Sequence, residues 1–349
     1  MLKDLKIGNR KIGINQKIFI SAEVGTTCNG DVKTAKKLID AAKAAGMDAV
    51  KFQILTPDEK YSDKTLKYSY TRFSGKRVEE NMFKLVKKYV LPLSAWAEIK
   101  RYADKRGIIM FATTDHFQAV EIAEKIKLPA YKIATWDVTY RPLTEKIARL
   151  GKPTILDFGA SDKAEVGEIC NVFKRQGNRK LVLLHCYHTN NYKEMNLMSI
   201  KYLREKYGFL SGFSAADEKN EVDYLALAFR PVYIEKRLTL NKRDPEHHHS
   251  RALEPDEMKE YVKNIHNLSA AIGKMDLIPS ANDLIERKKW FTGLVAGRNI
   301  KKGEKFSLDN IACKRPLFDR LDPKHIKLFI GKTAKRDIRE NESMRYNMF

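Results

Sequence analysis

Eight short runs rich in β-branched and apolar residues recur along the chain, and each is followed by a longer segment with helical periodicity. The runs are IFISAEV, MDAVKFQ, GIIMFAT, PAYKIAT, PTILDFG, KLVLLHC, GFLSGFS and PVYIEKR. Strands that alternate with helices predict parallel strands joined by helical crossovers. Eight such repeats match the size of a closed (β/α)8 TIM barrel, typically about 250 residues. An open doubly wound sheet would alternate in the same way. However, neither the glycine fingerprint of a dinucleotide fold nor the glycine-lysine pattern of a phosphate loop is present. Glycine closes several of the helical segments, and Ser161-Asp162 reads as an N-cap.

The texture changes after KMDLIPSANDLIERKKWF, where short alternating runs and glycine turns take over. The expected organisation is a barrel over 1–278 with a short N-terminal extension, a linker over 279–289, and a small β-rich domain over 290–349.

Active sites of such barrels lie at the C-terminal ends of the strands. Glu23 ends the first run and therefore points to the mouth. Lys51 and Gln53 share one face of the second strand by the period-two rule. The third strand leads to Thr113 and Asp115, and the fourth carries Lys132 and continues to Thr135 and Asp137. His185 ends the sixth strand, Ser214 the seventh with Asp217 after it, and Glu235 and Arg237 share a face of the eighth. Cations in a half-enclosed site carry a desolvation cost unless they are paired or face anions. With hydroxyls beside them, this set suits a small ligand bearing phosphate and carboxylate groups.

The net charge of +22 is spread over the whole chain and interleaved with acids, without a basic tail or an aromatic RNA-binding signature. It is read as solvated surface charge, and no nucleic-acid partner is expected. No apolar run approaches the roughly 20 residues of a membrane span, and the N-terminus lacks the apolar core of a secretory signal. A cytoplasmic location and no membrane partner are expected. Cys28, Cys170, Cys186 and Cys313 form no metal-ligand spacing and are read as buried thiols.

The stretches AEVGTTCNGDVKTAKKLIDAAKAAGMDAVKFQ, AYKIAT, GKPTIL, LLHC, GFS, SRALEPDEM and VAGRNIKKGEKFSLDNIACKRP, taken in order, resemble the sialic acid synthase (N-acetylneuraminate synthase-like) family. That resemblance implies a barrel followed by an antifreeze-like (SAF) domain, in a homodimer where each small domain covers the partner's barrel. It implies phosphoenolpyruvate and an amino sugar as substrates. Lys51, Thr113, Lys132, Thr135 and Ser214 would hold the phosphoenolpyruvate. Gln53, Asp137, His249 and Arg315 would face the sugar, Arg315 reaching over from the partner. Glu23, Glu235 and Arg237 are the expected catalytic set.

Three departures from the family pattern stand out. Two histidines that bind a divalent metal in the family are replaced here by Ala216 in FSAAD and Arg237 in IEKRL. Alanine cannot ligate and arginine keeps its proton, so no resident metal or other cofactor is expected. Arg237 would instead polarise a carbonyl or hold a second anionic group. The loop YHTNNY is altered, and LFDRLDP replaces a glycine-rich turn. In His247-His248-His249 at most two side chains can converge, so a solvated or substrate-facing loop is expected there rather than a metal site. The alternatives are aldolase- or lyase-type chemistry through a Schiff base on Lys51 or Lys132, and a catalytically silent carbohydrate-binding protein.

Overall fold

The computed structural model describes residues 2–215, 219–315 and 321–349. The chain divides into two compact units, Met1–Gly273 and Lys274–Phe349. The first begins with a hairpin of β1 (Leu5–Ile7) and β2 (Arg10–Ile12). Eight further strands then close a parallel barrel: β3 (Phe19–Glu23), β4 (Ala49–Ile54), β7 (Ile109–Thr114), β8 (Tyr131–Ile133), β9 (Thr154–Asp157), β10 (Leu181–Tyr187), β11 (Leu210–Ala215) and β12 (Tyr233–Arg237). Their order is β10-β11-β12-β3-β4-β7-β8-β9. All eight coincide with the eight predicted runs.

Strands buried on both faces explain the near-continuous apolar runs. Between them, helices present apolar stripes at a spacing of three or four residues. In Val32–Ala44, Ala35, Leu38, Ile39 and Ala42 are buried, and the Asp31 carboxylate caps the first turn by accepting from the Thr34 N–H at 2.7 Å. The expected cap at Asp162 forms as a reciprocal box with Glu165 ahead of Lys163–Arg175.

The N-terminal hairpin determines which end of the barrel can hold a site. Its Leu5, Ile7 and Ile12 join one apolar cluster with Phe19, Phe111, Ile155, Val182 and Leu210, residues at the starts of the strands. That plug closes the bottom, and the cavity opens only at the strands' C-terminal ends.

Residues 55–92, to which the sequence assigned no element, hold a second hairpin of β5 (Lys67–Thr71) and β6 (Arg77–Asn81). Its strands are largely polar and only Tyr70 is buried, so hydrophobic periodicity does not reveal it. The available signal was the alternation of KYSYT and RVEEN around Gly75, whose φ of 80° fits a tight turn.

In the second unit, β13 (Gly293–Ala296) pairs with β14 (Ile311–Lys314), and single bridges at Val295–Ser343, Ile300–Ile338 and Lys305–Thr333 knit the rest. Ile300, Phe306, Phe329, Ile338 and Met344 form its core. The stretch read as a linker contains a helix, Ala281–Trp290, in which no residue is buried. Three of the four cysteines are buried as expected; Cys313 is exposed, because β14 has a covered face only at its start.

Candidate active site

Side chains from five barrel strands meet at the floor of a cavity of about 530 Å³ at the mouth of the barrel. Lys51 is wedged between Glu23, which it contacts directly, and Glu235, whose Oε1 lies 2.9 Å from its Nζ. Lys132 donates to Glu235 Oε2 and to Asp157 Oδ2, both at 2.8 Å. Tyr233 donates from its hydroxyl to the same Glu235 oxygen at 3.0 Å. Glu23 also accepts from the Gly25 N–H at 2.7 Å and from Gln53 Nε2 at 3.1 Å. Residue 25 has to be glycine for this contact: an added Cβ would lie 2.7 Å from the Gln53 nitrogen.

Lys51 and Lys132 are therefore each held by two carboxylates, which makes burying their charges tolerable. Burial works against Glu235, but Lys132 and Lys51 outweigh it and hold the carboxyl at about 2. Burial likewise opposes the charge on Lys132, yet Asp157 and Glu235 keep its ammonium above the ordinary lysine range. Asp157 goes the other way: burial, with Glu235's charge adding to it, pushes its carboxyl up despite Lys132. Its Oδ1 is buried without a hydrogen-bond partner. Asp157 ends PTILDFG and was missed, although the strand-end rule that found Glu23 applies equally to it.

Thr113, Thr135 and Ser214 line the same cavity as expected. Among the described residues the Thr113 hydroxyl is buried with no hydrogen-bond partner, while Thr135 Oγ1 lies 3.1 Å from Cys186 Sγ. Asp137 also lines the cavity but is taken up by Lys60, at 2.9 and 3.0 Å. Lys60 faces Asp115 as well, at 3.6 Å, and Thr56 donates to Asp115 at 2.9 Å. Lys60 was not anticipated; it lies after β4 in the stretch the sequence left unassigned.

His185 is turned out of the barrel, with its Nε2 2.7 Å from the Met195 carbonyl oxygen, and Cys186 takes the inward place. A larger, more open groove of about 1310 Å³ runs alongside, between the segments after β9 and β10, and shares Trp136, Cys186 and His188 with the cavity. It lacks the lysine–carboxylate cluster.

Arg237, at the end of β12 and paired in register with Glu23, faces the cavity together with Arg251, His247 and His248. His249 does not face it. Its Nδ1 lies 2.7 Å from Thr239 Oγ1 and its Nε2 3.0 Å from Asn29 Oδ1, so both ring nitrogens hold the loop together. His247 and His248 line the cavity in its place, and His248 adopts φ 76°, which turns the loop over between them. His248 Nδ1 meets Thr26 Oγ1 at 3.0 Å, and His247 Nε2 meets the Tyr68 hydroxyl at 2.9 Å. Through Tyr68 the β5–β6 hairpin clamps this loop. Neither His247, with 5% exposure, nor His249, with 2%, is solvated. Burial, followed by the charges of Arg237 and Arg251, holds His247 at about 3 and His248 well below its ordinary value.

Among the described residues, those lining the cavity do not fit a resident divalent metal: Arg237 keeps its proton and cannot ligate, three ring nitrogens of the histidine loop are tied to Thr239, Asn29 and Tyr68, and a fourth to Thr26. Among the described residues no group of three His, Cys, Asp or Glu side chains is placed to hold a metal ion. Ala216, Asp217 and most of LFDRLDP lie outside the described residues. Arg315 belongs to the second unit, where its guanidinium lies over the Trp290 ring at 5.6 Å.

A closed barrel with paired lysines and carboxylates gathered at the C-terminal ends of its strands has the layout of a barrel enzyme's site. The chain belongs to the NeuB family, which it matches over residues 38–276, and residues 291–349 match the SAF domain. It is 34% identical to an uncharacterised protein of Methanocaldococcus jannaschii, over 98% of this chain and 97% of that one. It is 32% identical to the N,N'-diacetyllegionaminic acid synthase of Campylobacter jejuni, over 95% and 99%. Among solved structures, the N-acetylneuraminic acid (sialic acid) synthetase of Leptospira borgpetersenii, in complex with citrate, superposes with a TM-score of 0.73 at 27% identity, covering 82% of this chain and 95% of that one. No helix among the described residues is long and apolar enough to cross a membrane.

Proposed function

We propose that this chain joins phosphoenolpyruvate to an amino-sugar aldehyde, giving a sialic-acid-like sugar acid and inorganic phosphate. The observation that carries the reading is the floor: Lys51, with the fully buried Lys132 behind the shared Glu235, and the Thr113 hydroxyl, unpartnered among the described residues, offer charge and a hydrogen bond to a compact dianion. Lys51, Lys132, Thr113, Thr135 and Ser214 hold the phosphate and carboxylate of phosphoenolpyruvate. The lysines then exchange part of their carboxylate pairing for substrate.

The methylene carbon of the enol attacks the aldehyde carbon, and the aldehyde oxygen takes a proton. Asp157, which faces Lys132 at 2.8 Å and lines the cavity, is the group assigned to relay that proton from the cluster. Water adds to the resulting cationic carbon, its proton passing to a carboxylate, and phosphate leaves with the bridging oxygen by carbon–oxygen cleavage. Glu23 and Glu235, at the floor beside Lys51, stabilise that cation and receive the proton. Arg237 polarises the aldehyde by fixed charge. Gln53 and Asp137 face the sugar, and Arg315 reaches it from a partner subunit's small domain.

A protonated Lys132 counts against Schiff-base chemistry on that residue. The test is acceptor-dependent phosphate release from phosphoenolpyruvate labelled with oxygen-18 in the bridging position. Label in the phosphate is the expected result. Release without an acceptor, or label retained in the sugar acid, would overturn the reading.

A further inference from the structure

We propose that Lys60 and Asp115 together read one hydroxyl of the acceptor, and so determine which sugars the cavity takes. This inference rests on the sugar-acid synthase reading above. Lys60 ends the short helix Pro57–Lys60 after β4, Asp115 follows β7, and Asp137 closes the turn Thr135–Asp137 after β8. Strands β4, β7 and β8 are consecutive in the barrel, so all three side chains come to one wall of the cavity.

On that wall the hydrogen bonding is incomplete at one place. Thr56 donates to Asp115 Oδ1 at 2.9 Å and fixes the carboxylate. Its other oxygen, Oδ2, has no hydrogen-bond partner among the described residues, although Asp115 is only 3% exposed. Lys60 donates to both Asp137 oxygens, at 2.9 and 3.0 Å, and its Nζ stands 3.6 Å from Asp115 Oδ2. An ammonium has three donors, so one remains opposite the unmatched oxygen. Polar groups held just beyond hydrogen-bonding distance are the setting for a bridging hydroxyl. A sugar hydroxyl accepts from Lys60 and donates to Asp115 at once.

Charge narrows the choice of group. Burial works against the charge on Lys60, but Asp137 and then Asp115 outweigh it and keep the ammonium above the ordinary lysine range. Two carboxylates share this single ammonium, so an added anionic group meets repulsion from both. A methyl or methylene in place of the hydroxyl leaves Asp115 Oδ2 buried and unmatched. The wall therefore selects a neutral group that both donates and accepts.

The test compares kcat/KM for N-acetylmannosamine and its four mono-deoxy analogues, lacking the hydroxyl at carbon three, four, five or six. Each is assayed by phosphate release with the wild-type chain, Lys60→Met and Asp115→Asn, the last a substitution of the same shape that can still accept from Thr56. We expect one deoxy analogue to fall at least about tenfold below the parent sugar in the wild type, the range of hydrogen bonds to charged groups. Both variants should bring that ratio close to one, with the KM for phosphoenolpyruvate unchanged, because neither residue belongs to the Lys51–Lys132 network. Equal use of all five sugars by the wild type, or an unchanged ratio in Asp115→Asn, would overturn the inference and leave the synthase reading intact. So would a loss shared by all five sugars with a raised KM for phosphoenolpyruvate, the mark of a merely structural role. No phosphate release with any of the sugars would instead remove the synthase reading, and the inference with it.

Discussion

The floor and the mouth of the cavity solve the same electrostatic problem in opposite ways. On the floor, strand residues neutralise one another: Lys51 and Lys132 share Glu235, and Glu23 and Asp157 complete the two pairs. At the mouth, burial and then the charges of Arg237 and Arg251 hold two imidazoles below their ordinary values. The floor is a self-consistent buried network that a substrate has to enter by exchange. At the mouth two guanidinium groups face the cavity together.

Removing the shared carboxylate tests the floor most severely. Glu235→Ala leaves two buried ammonium groups short of a partner, so we expect a loss of about 3–5 kcal/mol, measured by urea unfolding, together with loss of phosphate release. Next comes the mouth: Arg237→Met should lower kcat by about 100-fold or more, as expected for removing a fixed charge aimed at a developing oxyanion, with little change in unfolding midpoint. Equal effects on stability from these two substitutions would erase the contrast between the regions.

Thr113→Val should have a smaller effect, and in the opposite sense for folding and function. The hydroxyl is buried without a partner, so the change is neutral or stabilising in the free protein. The KM for phosphoenolpyruvate should rise by about tenfold, the value of one hydrogen bond to a charged group.

The smallest effect concerns pH. His247 is held at about 3 against an ordinary 6.5, by burial and then by the two arginines. The unfolded chain therefore takes up this proton first. The contribution of the neutral ring is complete above pH 6.5 and is lost as pH falls towards 3. Hydrogen exchange should show the β5–β6 clamp loosening across that window, and His247→Gln should flatten the dependence.

The same contrast explains what could be read from the sequence. Glu23, Lys51, Gln53, Thr113, Lys132 and Glu235 could be read from their positions at or near the C-terminal ends of strands, with period two putting Lys51 and Gln53 on one face. Asp157 obeyed the same rule and was overlooked. The histidine loop has no such period. Its reversal at His248 turns His249 inwards to Thr239 and Asn29 and exposes its neighbours to the cavity. Lys60 and the Tyr68 clamp were hidden because a polar hairpin carries little hydrophobic signal.

The central claim is that strand-borne lysines bind phosphoenolpyruvate while a fixed guanidinium does what a metal ligand set does elsewhere. The most direct measurement is acceptor-dependent phosphate release in the presence of chelator, for the wild-type chain and for Arg237→His. The account predicts that the wild-type rate is the same with chelator as with added manganese, and that Arg237→His loses most of its rate in either. A wild-type rate abolished by chelator and restored by manganese would contradict it.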